Sequence, residues 1–233
     1  MKPRFVLIAK CLSVSLTLLY FCLSIAIGAD VEFTGDFETG DLSGWTVVED
    51  SGEAWNFQPT FGDNPTARNR GQPSQHQGEW WLGGFEKFQG PDVKGQFEGG
   101  TQGDAPQGIL ESIEFKIIGE EISFLIGGGT HPWVEGGTGS TCANLEINGE
   151  MVRTATGANT ETLHRETWDV SDLKGEKAVI RLYDMNAGGW GHLNFDDVYQ
   201  VDANGDKIPW ESVLAVEPRG KKTTVWGEIK SQY

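Results

Sequence analysis

The sequence predicts an all-β protein built as a single β-sandwich domain, and three observations carry that expectation. Beyond the N-terminal leader, no stretch sustains the apolar period of an amphipathic helix. Short alternating or apolar runs recur instead, each bounded by Gly, Asn, Asp or Pro. The chain also holds 32 glycines and nine tryptophans, a pairing suited to turns and bulky core or flat binding surface rather than to helices.

The runs follow in order: "SGWTVVE" (43–49), "GEWWLGGFE" (78–86), "GILESIEFKI" (108–117), "EISFLIGG" (121–128), "CANLEING" (142–149), "EMVRTATG" (150–157), "TLHRETWDVS" (162–171), "KAVIRLYD" (177–184) and "GHLNFDDVYQV" (191–201). The stretch "NLEI-NG-EMVRTA" reads as a hairpin closed by a two-residue Asn-Gly turn. About nine strands without intervening helices point to a sandwich. Two polar or glycine-rich segments, 57–77 and 127–141, interrupt the rhythm as long loops, the kind that often carry function. After Val201 the pattern fades, so residues 202–233 read as a tail with one further strand at "TTVWGEI".

Residues 1–29 have the order of a secretory signal peptide. Lys2 and Arg4 precede an apolar stretch from Leu12 to Ile27, and "AIGAD" supplies a small-residue exit. The expected mature protein is exported, extracellular or periplasmic, with a sandwich over 30–201 and no membrane association. Cleavage removes Cys11 and Cys22 and leaves Cys142 without an internal disulfide partner. The full chain carries a formal net charge of −16, and loss of the leader makes it more acidic still. That balance argues against nucleic acid and anionic membranes as partners.

The carboxylates admit two uses. Glycoside hydrolysis needs two carboxyl groups facing across a bond. Asp196 and Asp197 are adjacent on a strand and point to opposite faces, so they cannot form that pair together, and a distant partner such as Glu86 or Asp184 would have to complete it. Calcium is the other use. "GDFETGDLSGW" offers Asp36, Glu38 and Asp41 around a turn, and if the first and last strands are neighbours Glu38 and Asp196 could share one structural ion, with Asp36 beside them; a solvated turn and strand end are the alternative. His76, His131, His164 and His192 show no zinc spacing, and no G-x-S-x-G elbow is present.

A ligand platform accounts for more of the sequence. Sugar sites set an aromatic face against the ring and surround it with amide, carboxylate and guanidinium groups. Trp81, Glu86, His131, Asn144, Arg153, Asp184, Asn186, Trp190 and His192 have that chemistry and sit on loops and strand ends. Alternation places Leu145 and Ile147 inward and Asn144 outward, on the same kind of face as His192 and Asn194. Trp190, flanked by Gly188, Gly189 and Gly191, reads as a loop residue, whereas Trp45 and Trp168 read as core.

"ISFLIGGG", "CANLEINGEMVRTATGANTETL", "TWDVSDLKGEKAVIRLYD" and "GGWGHLNFDDV" together resemble the β-sandwich module attached to family 32 glycoside hydrolases, the levanases and related β-fructosidases. That module is similar to carbohydrate-binding family 66. "GDFETGDLSGWTV" matches how such modules begin, and the resemblance runs from about residue 33 to 201. It implies a jelly-roll, galactose-binding-like fold and a non-catalytic domain that binds the ends of β-fructans such as levan or inulin. The matched blocks put His131, Asn144, Arg153, Asp184, Trp190 and His192 at motif positions. Residues 57–106 depart most from the pattern, the correspondence of Glu86, Trp81 and Arg70 among them, and "WVEGGTGST" after His131 is an insertion. Nothing resembles the "WMNDPNG"-type nucleophile motif of the fructosidases, so the resemblance implies the accessory module and no enzyme. A structural or cell-surface adhesion sandwich without a working sugar site is the alternative.

Overall fold

A computed structural model describes residues 33–50 and 57–210; the signal peptide expected over 1–29 and the strand expected at "TTVWGEI" lie outside the described residues. The described chain is two antiparallel sheets. Its strands are β1 (Trp45–Asp50), β2 (Pro59–Phe61), β3 (Trp80–Gly83), β4 (Gly108–Ser112), β5 (Phe115–Lys116), β6 (Glu121–Gly128), β7 (Thr141–Ile147), β8 (Glu150–Ala155), β9 (Thr160–Asp169), β10 (Lys177–Asp184), β11 (Leu193–Val201) and β12 (Lys207–Ile208). The first sheet runs β1-β4-β10-β7-β8, with β5 also on β10, and the second runs β2-β3-β11-β6-β9, with β12 also on β11. Among the described residues a 3-10 turn, Ser171–Leu173, joins β9 to β10. Among the described residues no helix is long and apolar enough to cross a membrane.

Strand alternation builds the core. The first sheet turns Leu110, Ala143, Leu145, Ile180 and Leu182 inward against Leu82, Ile122, Phe124, Ile126, Leu193 and Phe195 of the second. Phe124 stacks on Phe195 at 5.3 Å, and Trp45 meets Phe195 edge-on at 6.1 Å while its indole N–H donates to the Thr34 carbonyl. Each such side chain, wholly removed from water, contributes on the order of 1.5–3 kcal/mol. Trp45 and Trp168 are core residues, as their positions predicted.

The hairpin turn is as expected: Asn148 and Gly149 both have positive φ, 53° and 82°, the geometry a tight β7–β8 connection needs. Two strands lie where a loop and a tail were expected. β2 falls inside the 57–77 segment, and β12 follows the boundary placed at 201. Trp210, beyond β12, packs edge-on against Phe33 at 4.4 Å and Phe115 at 5.5 Å, so the sandwich extends past that boundary.

The outer face of the second sheet is covered rather than solvated. Trp81, Leu125 and Leu163 form a separate small apolar cluster there. The 62–78 segment lies over it: His76 stacks on Trp81 at 5.5 Å, and the Trp81 indole donates to the Gly62 carbonyl. Its far side follows the free edge of β9, where Leu163 N donates to Ser74 O and Thr162 Oγ1 to Pro73 O. Trp81, expected as a sugar contact, is fully buried and holds this segment down.

Candidate functional site

The covered face leads to a cluster of charged side chains at one end of the sandwich. Alternation from Leu193 and Phe195 turns His192 and Asn194 outward, and from Leu163 it sets Glu161 on the same outer face. The 62–78 segment adds Asp63, Arg68 and Arg70, and the connection after β3 adds Phe85, Glu86 and Asp104.

His192 is the centre. Its Nδ1 lies 2.6 Å from Asp104 and its Nε2 3.2 Å from Glu161. Burial opposes a charge on the imidazole, but the bonds to Asp104 and Glu161 outweigh it and push its pKa up to about 9. The ring is therefore an imidazolium that donates from both nitrogens. Burial works against the charge on Asp104 and Glu161 too, yet the hydrogen bonds to His192 hold both below the usual carboxylate range. Asn194 completes the set, donating from Nδ2 to Glu161 at 3.1 Å and accepting from the Gly84 amide at 3.1 Å.

Two arginines flank this centre. Arg68, fully buried, puts Nη1 2.6 Å from both Asp63 and Glu86 and donates from Nη2 to the Gln72 carbonyl. Burial and the nearby Glu161 push Glu86 up to about 7 despite Arg68. Arg70 is 3.2 Å from Glu161, and its guanidinium lies between two rings, 4.2 Å from Phe85 and 4.5 Å from Trp190. Its side chain is 27% exposed and that of Asp104 is 19%, while His192 and Glu161 are sealed beneath.

Trp190 reaches this position through an unusual backbone. It adopts φ +60°, and Gly191 N donates to Gly188 O. A Cβ on Gly191 would lie 1.9 Å from the Asn186 carbonyl, so only glycine fits behind the tryptophan. Asp184, at the end of β10, is buried beside these groups, and burial drives its pKa well above the carboxylate range. The Leu193 amide favours its charge, yet neither oxygen has a partner in hydrogen-bond geometry. His131 and Asp184 both pair with Thr141, from opposite sides, and His131 Nε2 and Thr141 Oγ1 are likewise buried without partners.

Of the residues expected from the sequence, Glu86, Asp184, Trp190 and His192 therefore gather at this end, with His131 linked to Asp184 through Thr141. The others do not converge there. Asn144 points outward as expected, but from the first sheet, so it and His192 lie on opposite outer faces. Arg153, on edge strand β8, donates to the Asp169 carbonyl and pairs with Asp172. Asn186 spends its side chain on the Gly139 carbonyl and the Gly188 amide, holding two loops together. Asp63, Arg68, Phe85, Asp104 and Glu161 were not foreseen. Only Glu161 had a signal, its alternation with Leu163.

The three carboxylates expected to bind calcium are otherwise engaged. Glu38 accepts from the amides of Glu79 and Trp80, Asp196 from those of Gln77 and Asp197, and Asp36 from Thr34 and its own turn. Burial pushes Asp196 up to about 8. Among the described residues no three His, Cys, Asp or Glu side chains form a group able to hold a metal. Glu38 and Asp196 clamp residues 77–80.

No protein-family model matches the chain. Over 111 residues it is 40% identical to the ecdE protein of Aspergillus rugulosus, which is assigned to the glycosyl hydrolases. The match covers 48% of this chain and 14% of that protein, so the chain spans a small part of its relative's length. Among solved structures, it is similar to TmCBM61, solved in complex with β-1,4-galactotriose, over 72% of this chain and 95% of that one, at 17% identity and a TM-score of 0.40. It is similar to the K2 cleaved adhesin domain of Lys-gingipain over 71% and 95%, at 15% identity and a TM-score of 0.38. At such distances the structural likenesses carry nothing about a ligand.

Proposed function

We propose that this chain is an exported, non-catalytic carbohydrate-binding domain that takes the end of a glycan, a β-fructan above all, at Arg70, Asp104 and Trp190. One observation carries the reading: Arg70 is held between Phe85 and Trp190 above the sealed His192–Glu161 pair, with its side chain and the Asp104 carboxylate reaching solvent. A fixed guanidinium and carboxylate beside a flat ring suit sugar hydroxyls and the apolar side of the ring. The fructan preference rests on the sequence resemblance to the levanase-type module. Calorimetry against levan, inulin, fructose and unrelated glycans tests it. Trp190→Ala is expected to weaken binding at least tenfold without lowering Tm. A wild-type protein that binds none of these glycans would sink the reading and leave the adhesion alternative.

One observation favours a second reading, hydrolysis. Glu86 is pushed up to about 7 while its neighbour Glu161 is held low, the divided acidity of an acid and a nucleophile. The assignment of ecdE to the glycosyl hydrolases points the same way. Against it, both carboxylates are buried. Reducing-sugar release from the same glycans, abolished by Glu86→Gln, would establish it. A structural calcium ion is likewise a matter for experiment: a Tm raised by calcium and lowered by EDTA would show that Asp36, Glu38 and Asp196 rearrange around one.

A further inference from the structure

The outer face of the first sheet carries a cavity away from Arg70, Asp104 and Trp190. Pairing in the ladder aligns Ile109 with Tyr183 and Glu146 with Met151 across β4, β10, β7 and β8. Alternation turns these residues and Arg181 away from the core. Over them folds the insertion after His131. Gly137 N donates to Val134 O, Ser140 Oγ accepts from Val134 N, and backbone bonds between Gly139, Ser140 and Met185 fasten the loop to the end of β10. Gly137, at φ +78°, lies so close that a Cβ would meet the Tyr183 ring at 2.9 Å. This close approach brings Trp133 against Tyr183, ring centroids 4.6 Å apart, as one wall of a cavity of about 380 Å³. That volume lies in the ~300–1,000 Å³ range of small-molecule sites.

The floor is polar and fixed. Tyr183 donates its hydroxyl to Glu146 at 2.8 Å, and burial pushes its pKa up to about 12, so it remains a donor. Arg181 pairs with the other Glu146 oxygen at 3.1 Å and with Glu111 through Nε. Glu146 is 3% exposed, whereas the Arg181 side chain is 31% exposed. Two residues along β7 on the same face, Asn144 is fully buried with its amide nitrogen unpartnered.

The chemistry selects a ligand class. An anion would meet Glu135 and Glu146 against one arginine that Glu111 already engages. An apolar molecule would desolvate the Glu146–Arg181 pair without replacing its water contacts. A small cation would face the Arg181 guanidinium. A neutral sugar offers hydroxyl donors to the carboxylates, acceptors to Arg181 and an apolar ring face to Trp133. We propose that this cleft binds a neutral sugar residue of a glycan, independently of the loop-end site.

The test isolates the cleft by working in the full exported chain carrying Trp190→Ala. The probes are fructo-, galacto-, xylo- and gluco-oligosaccharides, titrated by calorimetry. This variant is expected to retain binding to at least one, and added Trp133→Ala to weaken that binding at least tenfold. Because Trp133→Ala could disturb the loop, the exposed Glu135→Gln is the second variant, expected to weaken binding several-fold with an unchanged near-UV spectrum. Residual binding indifferent to both changes overturns the proposal. So does complete loss of binding with Trp190→Ala alone, an outcome that leaves the loop-end reading standing. Binding lost with Trp133→Ala in the otherwise wild-type chain, and untouched by Trp190→Ala, supports the cleft and overturns the loop-end site instead.

Discussion

His192 Nδ1 and Asp104 Oδ1 meet at 2.6 Å across 88 residues of sequence. The contact gives the fold a pH dependence with a definite sign. A histidine raised from its ordinary 6.5 to about 9 contributes stability that is complete below 6.5 and lost as pH rises through 9. Glu86 and Asp196, raised to about 7 and 8, also cost the fold stability as pH rises from the ordinary carboxylate range to those values, because only the unfolded chain ionises them there. Asp104 and Glu161, held low, lose their contribution as pH falls through their lowered range. Tm is therefore expected to be highest in mild acid and to fall steadily toward pH 9. His192→Gln should flatten the part of that fall above about pH 7. A wild-type Tm that rises between pH 6 and 9 would contradict the imidazolium.

Arg68 is expected to matter more to stability than any surface cation. Its guanidinium is sealed and pairs with both Glu86 and Asp63. Arg68→Ala strands both carboxylates, and removing one partner of a buried charge pair costs about 3–5 kcal/mol. Urea denaturation measures this, and Lys87→Ala, at an exposed neighbour of Glu86, should stay within ~0.5 kcal/mol.

Gly129 connects the scaffold to the loop-end site. A Cβ there would lie 1.9 Å from the Trp190 carbonyl and 3.0 Å from His131. Gly129→Ala should cost about 1–3 kcal/mol through overpacking and displace Trp190. Glycan affinity at that end should fall with it. An affinity unchanged in a variant that remains folded would detach Trp190 from the site.

Cys142 is a buried thiol whose pKa burial pushes up to about 12. A thiol-reactive dye should leave it untouched in the folded protein and modify it fully in denaturant. Rapid labelling of the native protein would show that β7 opens.

Much of the fold was legible because most strands announce themselves. β6 and β10 occupy the bounds read from the sequence, 121–128 and 177–184, since their apolar runs end at acidic or glycine residues. β2 was hidden by its length: three residues, starting at Pro59 in a polar stretch, are too few to alternate. The site was legible in part. Alternation turned His192 and Asn144 outward correctly, but a period of two says which face of a strand a residue occupies and nothing about which sheet the strand joins. That is why the two residues were grouped and the fold separates them. Asp104 sits in "QGDAPQG", where nothing local distinguishes it, and only the tertiary contact with His192 gives it a role.

The strand order has a consequence for how the chain can assemble. Without β10 the long strands of the first sheet are two separate ribbons, β1–β4 and β7–β8; without β11 those of the second are β2–β3 and β6–β9. Each ribbon has only one partner and little surface to hide. Both bridging strands come late, over 177–184 and 193–201, and every ribbon waits for them. A chain truncated before residue 177 is expected to lack both bridging strands and to show no cooperative unfolding transition. Such non-local pairing folds slowly, and the strand that joins the two ribbons of the second sheet is the one that follows His192 directly.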